Sequence, residues 1–157
     1  MNKTYIIAEI GINHMGDMGK AKKLIDAAVR SGVDAVKFQT YITEKRAPKG
    51  NDQIFKILIM STGMANIGEV NEAYKILQEG NVTDISLLHC VSASPTKEID
   101  ANLNIIKTLK EKFPQCVIGH SVHTPDIKVP LYAVACGAEV IEKHFMIEPD
   151  CVDAPVS

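Results

Sequence analysis

Three pairs of polar residues in this sequence stand two apart at the ends of apolar runs: Lys37 and Gln39 in AVKFQT, Ser121 and His123 in VIGHSVHT, and Glu142 and His144 in VIEKHF. If those runs are strands, residues two apart point to the same side, so each pair is delivered together. Glu9, Ser61 with Thr62, and His89 with Ser92 stand at the ends of three further runs. Two histidines on adjacent strands with carboxylates nearby suit a divalent cation such as Mn, Fe, Co or Zn that keeps open positions for substrate or water. Each residue taken singly has a plainer reading. A lone histidine at a strand end is more often a hydrogen-bonded structural group than a ligand. His89, followed by Cys90 in ISLLHCV, reads as a core histidine with its ring nitrogens satisfied, and His14 and His120 read equally as groups behind the site or at the surface. Lys143 points away from Glu142 and His144, as a solvated or helix-facing charge. The repetition across six runs favours one shared site.

The elements that must position these groups alternate short β-branched runs with stretches of helical spacing, which is the pattern of βα units around a parallel sheet. Strands are predicted over residues 5–11, 35–40, 57–61, 85–91, 116–121 and 140–145. Helices are predicted over 18–31, closed by Gly32 in the left-handed conformation, 67–79, capped by Gly80, 98–112, and 125–136, capped by Gly137. With this order every polar group listed above falls at the C-terminal end of its strand. In parallel α/β folds that edge is where loops and helix N-termini converge on ligands. The segment 41–56 (YITEKRAPKGNDQIFK) does not fit: it is polar, holds Pro48 and Gly50, and has room for no more than a helical turn or two around 53–56. A right-handed parallel crossover needs about a dozen residues or more, usually a full helix.

With 157 residues, 46% hydrophobic and 23% charged, the chain can bury one ordinary core, and one domain over 1–157 is expected. Seventeen basic and 19 acidic residues give a formal charge of -2, leaving no cationic excess to follow a nucleic-acid backbone or an anionic membrane. Aromatic residues are only 5% with no Trp, which argues against base-stacking platforms. The four cysteines lack CxxC spacing and read as reduced, no window approaches a membrane span, and the N-terminal apolar run is too short for a signal sequence. A cytoplasmic protein with a small soluble ligand is the expectation.

The stretches IIAEIGINHMGD, AVKFQTY, IMSTGMANIGEV, LLHCVSASPT, GHSVHT and IEKHF resemble, in order, motifs of the N-acetylneuraminate (sialic acid) synthase family, which includes legionaminic, pseudaminic and spore-coat polysaccharide synthases. The resemblance covers nearly all of the chain. It implies a TIM barrel that condenses phosphoenolpyruvate with the open-chain aldehyde of an N-acetylated hexosamine, releasing phosphate and forming a nonulosonic acid. By motif position His123 and His144 resemble the two protein ligands of a divalent metal, manganese or magnesium. Lys37, Ser61 and Ser121 resemble the phosphoenolpyruvate-binding set. Glu9 and Gln39 resemble groups facing the sugar, with Glu9 a candidate for proton transfer, Glu142 lies beside the metal, and Asp153 in VDAPVS matches a sugar-contacting aspartate.

The sequence also departs from the family pattern. Where 41–56 stands, the family carries two further βα units, one with a second phosphate-binding lysine, so strands three and four of the usual eight are expected to be missing. A C-terminal antifreeze-like domain is likewise expected to be missing. Ser92 and Ser94 stand where many members have Asn and Tyr. The fold class expected is therefore α/β, a TIM-barrel-derived parallel βα repeat with six strands and an atypical junction at 41–56. Its unpaired edges lead to the expectation of a homo-oligomer. Besides the synthase, two other functions fit these residues: a non-catalytic metal-binding or assembly module, and a metal-dependent aldolase-like enzyme.

Overall fold

A computed structural model describes residues 3–39 and 57–147. Six strands form one parallel sheet in the order β2-β1-β6-β5-β4-β3: β1 (Tyr5–Gly11), β2 (Ala35–Phe38), β3 (Ile57–Ser61), β4 (Asp84–Cys90), β5 (Val117–Val122) and β6 (Val140–His144). The sheet curls into part of a barrel. Strands β2 and β3 are its two edges, so consecutive strands of the sequence lie at opposite ends of the arc. The expected six-stranded, barrel-derived fold is what the chain adopts. Residues 41–56, the C-terminal part of the segment predicted as β2, and Asp153 lie outside the described residues.

Helices α1 (Met18–Arg30), α2 (Ile67–Glu79), α3 (Asn104–Lys112) and α4 (Lys128–Ala135) join these strands. Asp17 caps α1 through the amides of Gly19 and Lys20, and Gly32 closes it with φ of 76°. Asn66 and Glu69 form a reciprocal capping box on α2. Gly80 is not the left-handed residue at the end of α2, because its φ is -77° and the following Asn81 takes φ of 60° instead. Asparagine tolerates that region better than most residues, so the turn does not need a glycine.

Two predicted helices are shorter than their periodicity suggests. The segment 98–112 breaks into a 3-10 turn, Glu98–Asp100, and α3, because Asn102 sits at φ of 44° between them. The segment 125–136 becomes helical only from Lys128, since the Asp126 carboxylate accepts from the Lys128 and Val129 amides and fixes the helix start there. Pro130 then lies in the first turn, where its missing N–H costs nothing.

Side-chain alternation divides the apolar residues between two layers. Ile85, Leu87, Ile118, Val122 and Ile141 pack outward against Val70, Tyr74, Ile106, Leu109, Phe113 and Ala133 of the helices. Ile7, Leu88 and Val140, with Ala35 against them, form a smaller cluster on the concave side. Gly119 belongs to that inner layer. A Cβ there would come within 2.5 Å of Leu88 Cδ2 and of the Val140 carbonyl oxygen, so the inner cluster closes only around a residue without a side chain.

Candidate active site

Above the inner apolar cluster, toward the C-terminal ends of the strands, the concave layer turns polar. The register explains how. Glu9 pairs with Lys37 on one side and with His144 on the other, while Glu142 pairs with Ser121 and Cys90 also pairs with Ser121. Four contiguous strands, β2-β1-β6-β5, thus present Lys37, Glu9, Glu142 with His144, and Ser121 with His123 to one side.

Glu9 and Glu142 are 3% and 5% exposed. The Lys37 ammonium bridges them, 2.7 Å from Glu9 Oε2 and 3.1 Å from Glu142 Oε2, and Ser121 donates to Glu142 Oε1 at 2.9 Å. Burial by itself lowers the Lys37 pKa, but the Glu9 and Glu142 carboxylates outweigh it and hold the ammonium above its ordinary value. Two carboxylates against one ammonium leave about one net negative charge in a desolvated corner, where an added cation is favoured. Glu9 Oε1 is buried without a hydrogen-bond partner among the described residues.

Beside this corner the rings of His123 and His144 stack with centroids 5.6 Å apart at 29°. His123 Nδ1 lies 2.8 Å from the Val91 carbonyl. A carbonyl only accepts, so Nδ1 carries the proton and the neutral ring keeps its lone pair on Nε2, as a metal-binding histidine requires. Cys90 Sγ is 3.9 Å from the same Nδ1; that sulfur contact raises the His123 pKa against the effect of burial. No group of three or more His, Cys, Asp or Glu side chains converges as a metal cage among the described residues. The arrangement fits a cation held by two imidazoles with the remaining positions open.

Other candidates separate from this cluster. His89 is a core histidine, as expected: it is 5% exposed and faces the helices, and its Nε2 donates to the Ala101 carbonyl at 2.7 Å. His120 is buried on the helix side of β5, behind the site and within electrostatic reach of His123, so of its two readings the surface one fails. It stacks on His89 at 5.1 Å, donates from Nδ1 to the His89 carbonyl, and is pushed down to about 4 chiefly by burial. Lys143 is the helix-side charge, its ammonium donating to the Thr124 carbonyl. Thr62 is spent on the Leu88 carbonyl, through both its amide and its hydroxyl. Gln39, Ser61 and Ser92 are exposed around the rim and are not drawn into the buried corner.

Sequence reasoning missed Cys90, read only as a reduced hydrophobe, although strand alternation and its pairing with Ser121 set it on the site's side. It also missed Asn13, a fully buried side chain in the loop after β1. A single asparagine in a loop has no periodicity to mark it.

The model of the NeuB family matches residues 49–156, which is more than half of the chain. This chain belongs to the NeuB family. An uncharacterised protein of Methanocaldococcus jannaschii is 34% identical over 92% of this chain and 63% of its own length. The N,N'-diacetyllegionaminic acid synthase of Campylobacter jejuni is 32% identical over 94% of this chain and 69% of its own. The chain therefore spans about two thirds of the length of these curated relatives. The first alignment runs over 212 positions, whereas 92% of 157 residues is about 144, so about 68 positions have no residue here. That is the size of the two βα units expected to be missing. Among solved structures, the N-acetylneuraminic acid (sialic acid) synthetase of Leptospira borgpetersenii superposes with a TM-score of 0.86 at 30% identity, covering 99% of this chain and 78% of that one.

Proposed function

We propose that this NeuB-family chain binds phosphoenolpyruvate and the open-chain form of an N-acetylated hexosamine, an N-acetylmannosamine-like sugar, and joins them, with uptake of one water, into a nonulosonic acid with release of phosphate, in carbohydrate biosynthesis in the cytoplasm. The observation that carries this reading is the concave polar layer, in which Glu9, Lys37, Glu142 and Ser121 form one chain of ion pairs and hydrogen bonds beside the stacked His123 and His144. His123 and His144 would hold Mn or Mg, which supplies a Lewis acid that draws electron density from the sugar aldehyde as the enol carbon attacks.

The chain's own residues account for the rest. Lys37 is the cation for the phosphate, flanked by Ser121 and, from the rim, Ser61. To serve it, the ammonium exchanges its Glu9 or Glu142 contact for a phosphate oxygen, which frees a buried carboxylate beside the reacting atoms. Glu9, whose Oε1 has no hydrogen-bond partner among the described residues, then receives or returns a proton at the sugar. Gln39, Ser92 and Asp153 face the sugar in this reading, and Glu142, which accepts from Ser121, is the second catalytic carboxylate, beside the metal.

A second reading has one observation in its favour: Lys37 is shared between two carboxylates, so its charge is already neutralised before any phosphate arrives. On that basis the chain would bind metal without turnover. Phosphate release from phosphoenolpyruvate with Mn, measured with and without N-acetylmannosamine, separates the two. Sugar-dependent release that disappears in Lys37→Ala supports the synthase. Metal uptake that is lost in His144→Ala, with no release under any condition, leaves the binding module, and uptake unchanged in His144→Ala removes the metal assignment from both.

A further inference from the structure

We infer that Asn13 is a positioning residue for His144, acting from the loop after β1 on the main chain that follows β6; this rests on the reading of His144 as a metal ligand. Asn13 is 0% exposed. Its backbone amide closes a turn on the Ile10 carbonyl at 3.1 Å, just past Gly11, which breaks the β1 register with φ of 57°. That turn folds the chain back so that Asn13 Nδ2 reaches the Phe145 carbonyl at 3.2 Å. The Phe145 amide in turn donates to the Glu9 carbonyl at 2.8 Å.

The two hydrogen bonds hold the Phe145 peptide units from both sides immediately after His144. Strand pairing between β1 and β6 ends at Glu9 and His144, and its last bond is the Phe145 amide on the Glu9 carbonyl, so the Phe145 carbonyl itself is held by the Asn13 side chain. Without the Asn13 amide the Phe145 carbonyl loses its partner from the β1 loop, and the peptide units that follow His144 are held only by the Phe145 amide on the Glu9 carbonyl. The imidazole then leaves its stack on His123, because a few degrees at Cα displace a ring nitrogen by several tenths of an ångström. Asn13 touches neither substrate nor metal in this account; it sets the direction of a side chain that does.

His123 is held in a comparable way by the loop after β4, through the Val91 carbonyl on its ring and the Thr96 amide on its own carbonyl at 2.9 Å. Each ring of the pair is therefore aimed by the loop of a flanking strand, β4 for His123 and β1 for His144. The pair is preorganised from outside rather than by contact between the rings alone.

The variants are Asn13→Asp, which keeps the shape but replaces the donor with an acceptor, and Asn13→Ser, which removes the reach. Two readouts are taken on the full chain: Mn(II) affinity by calorimetric titration, and the imidazole nitrogen and C–H shifts of His144 by NMR in chelator, with no metal present. The expected result is a loss of about tenfold or more in Mn(II) affinity, the usual effect of removing a group that orients a ligand, together with a displaced His144 signal while the His89 and His120 signals stay in place. An unmoved His144 signal overturns the inference whatever the metal does. So does unchanged Mn(II) affinity in both variants when the parent binds Mn(II) through His144. If the parent binds no Mn(II), the metal reading fails, and the His144 shift in chelator still decides whether Asn13 positions the ring. Failure of both variants to fold, with the parent folded, also overturns it, since Asn13 then determines the fold and not the ring.

Discussion

Removing the charge of Lys37 tests the energetics of the site without any ligand. Lys37→Met keeps most of the side-chain volume but leaves the Glu9 and Glu142 carboxylates facing one another, with side chains only 4% and 7% exposed. Breaking a fully buried pair by deleting one partner costs about 3–5 kcal/mol, because the remaining charge is stranded. Lys37 itself is 45% exposed, so part of its field is already screened by water and the cost falls to about 1–3 kcal/mol. For a chain of 157 residues each kcal/mol lowers the melting temperature by about 2–4 °C, so a drop of roughly 4–8 °C corresponds to about 2 kcal/mol. The assay is urea and thermal unfolding at pH 7.5 in chelator. The decisive comparison is the double variant Lys37→Met/Glu142→Gln. With one carboxylate neutralised, the strain is relieved and stability returns most of the way to the parent. Lys37→Met within about 0.5 kcal/mol of the parent, the range of ordinary surface changes, would refute the reasoning. A double variant as unstable as the single one would do the same.

Two further outcomes follow from the outer core and the sheet edges. His120 binds its proton only near pH 4 in the folded chain and near 6.5 when unfolded, so between those values the unfolded state holds more protons and stability falls as pH falls. The loss approaches about 3 kcal/mol by pH 4, His89 shifts in the same direction through burial, and urea midpoints between pH 7.5 and 4.5 should flatten in His120→Gln. At the edge, β3 (ILIMS) carries no lysine or proline to discourage pairing, and an open groove of about 530 Å³ lined by Leu58, Ile59, Met60, Ile76 and Leu77 runs beside it. Concentration-dependent association is therefore expected in sedimentation, and a monodisperse monomer across micromolar concentrations would contradict it.

What could be read from the sequence follows the regular parts of the chain. Strands such as Tyr5–Gly11 and Val140–His144 are visible because a parallel strand covered on both faces is an unbroken apolar run, and a charge interrupting it is conspicuous. Alternation then gives sidedness, which is why Ser121 with His123 and Glu142 with His144 can be paired without coordinates. The same rule sends His120 to the helix side and brings Cys90 to the site. Helix ends were less legible because they depend on single side-chain hydrogen bonds, such as Asp126 on the Lys128 amide, or on one left-handed residue such as Asn102. The bridge from Asn13 to Phe145 spans 132 positions, and no local pattern encodes a contact that only the closed turn after Gly11 creates.

The position of the missing units explains why so much of the site survives. In the order β2-β1-β6-β5-β4-β3 the gap falls between β2 and β3, at the two ends of the arc. The ion pairs and hydrogen bonds described in the polar corner run between strands of the contiguous set β2-β1-β6-β5, from Lys37 to Glu9 and Glu142 and from Ser121 to Glu142. Removing two units from the far wall therefore breaks none of them. What changes is enclosure, and it changes most at β2, whose outer side has no described neighbour. Lys37 stands on that strand, and it is the exposed member of an otherwise buried cluster. A lower local dielectric is what makes an ammonium worth more to a phosphate dianion than water is. On the proposal that Lys37 takes the phosphate, the open edge weakens that contact while leaving His123 and His144, at the ends of β5 and β6, in their frame, so binding of a cation should tolerate this architecture better than turnover does.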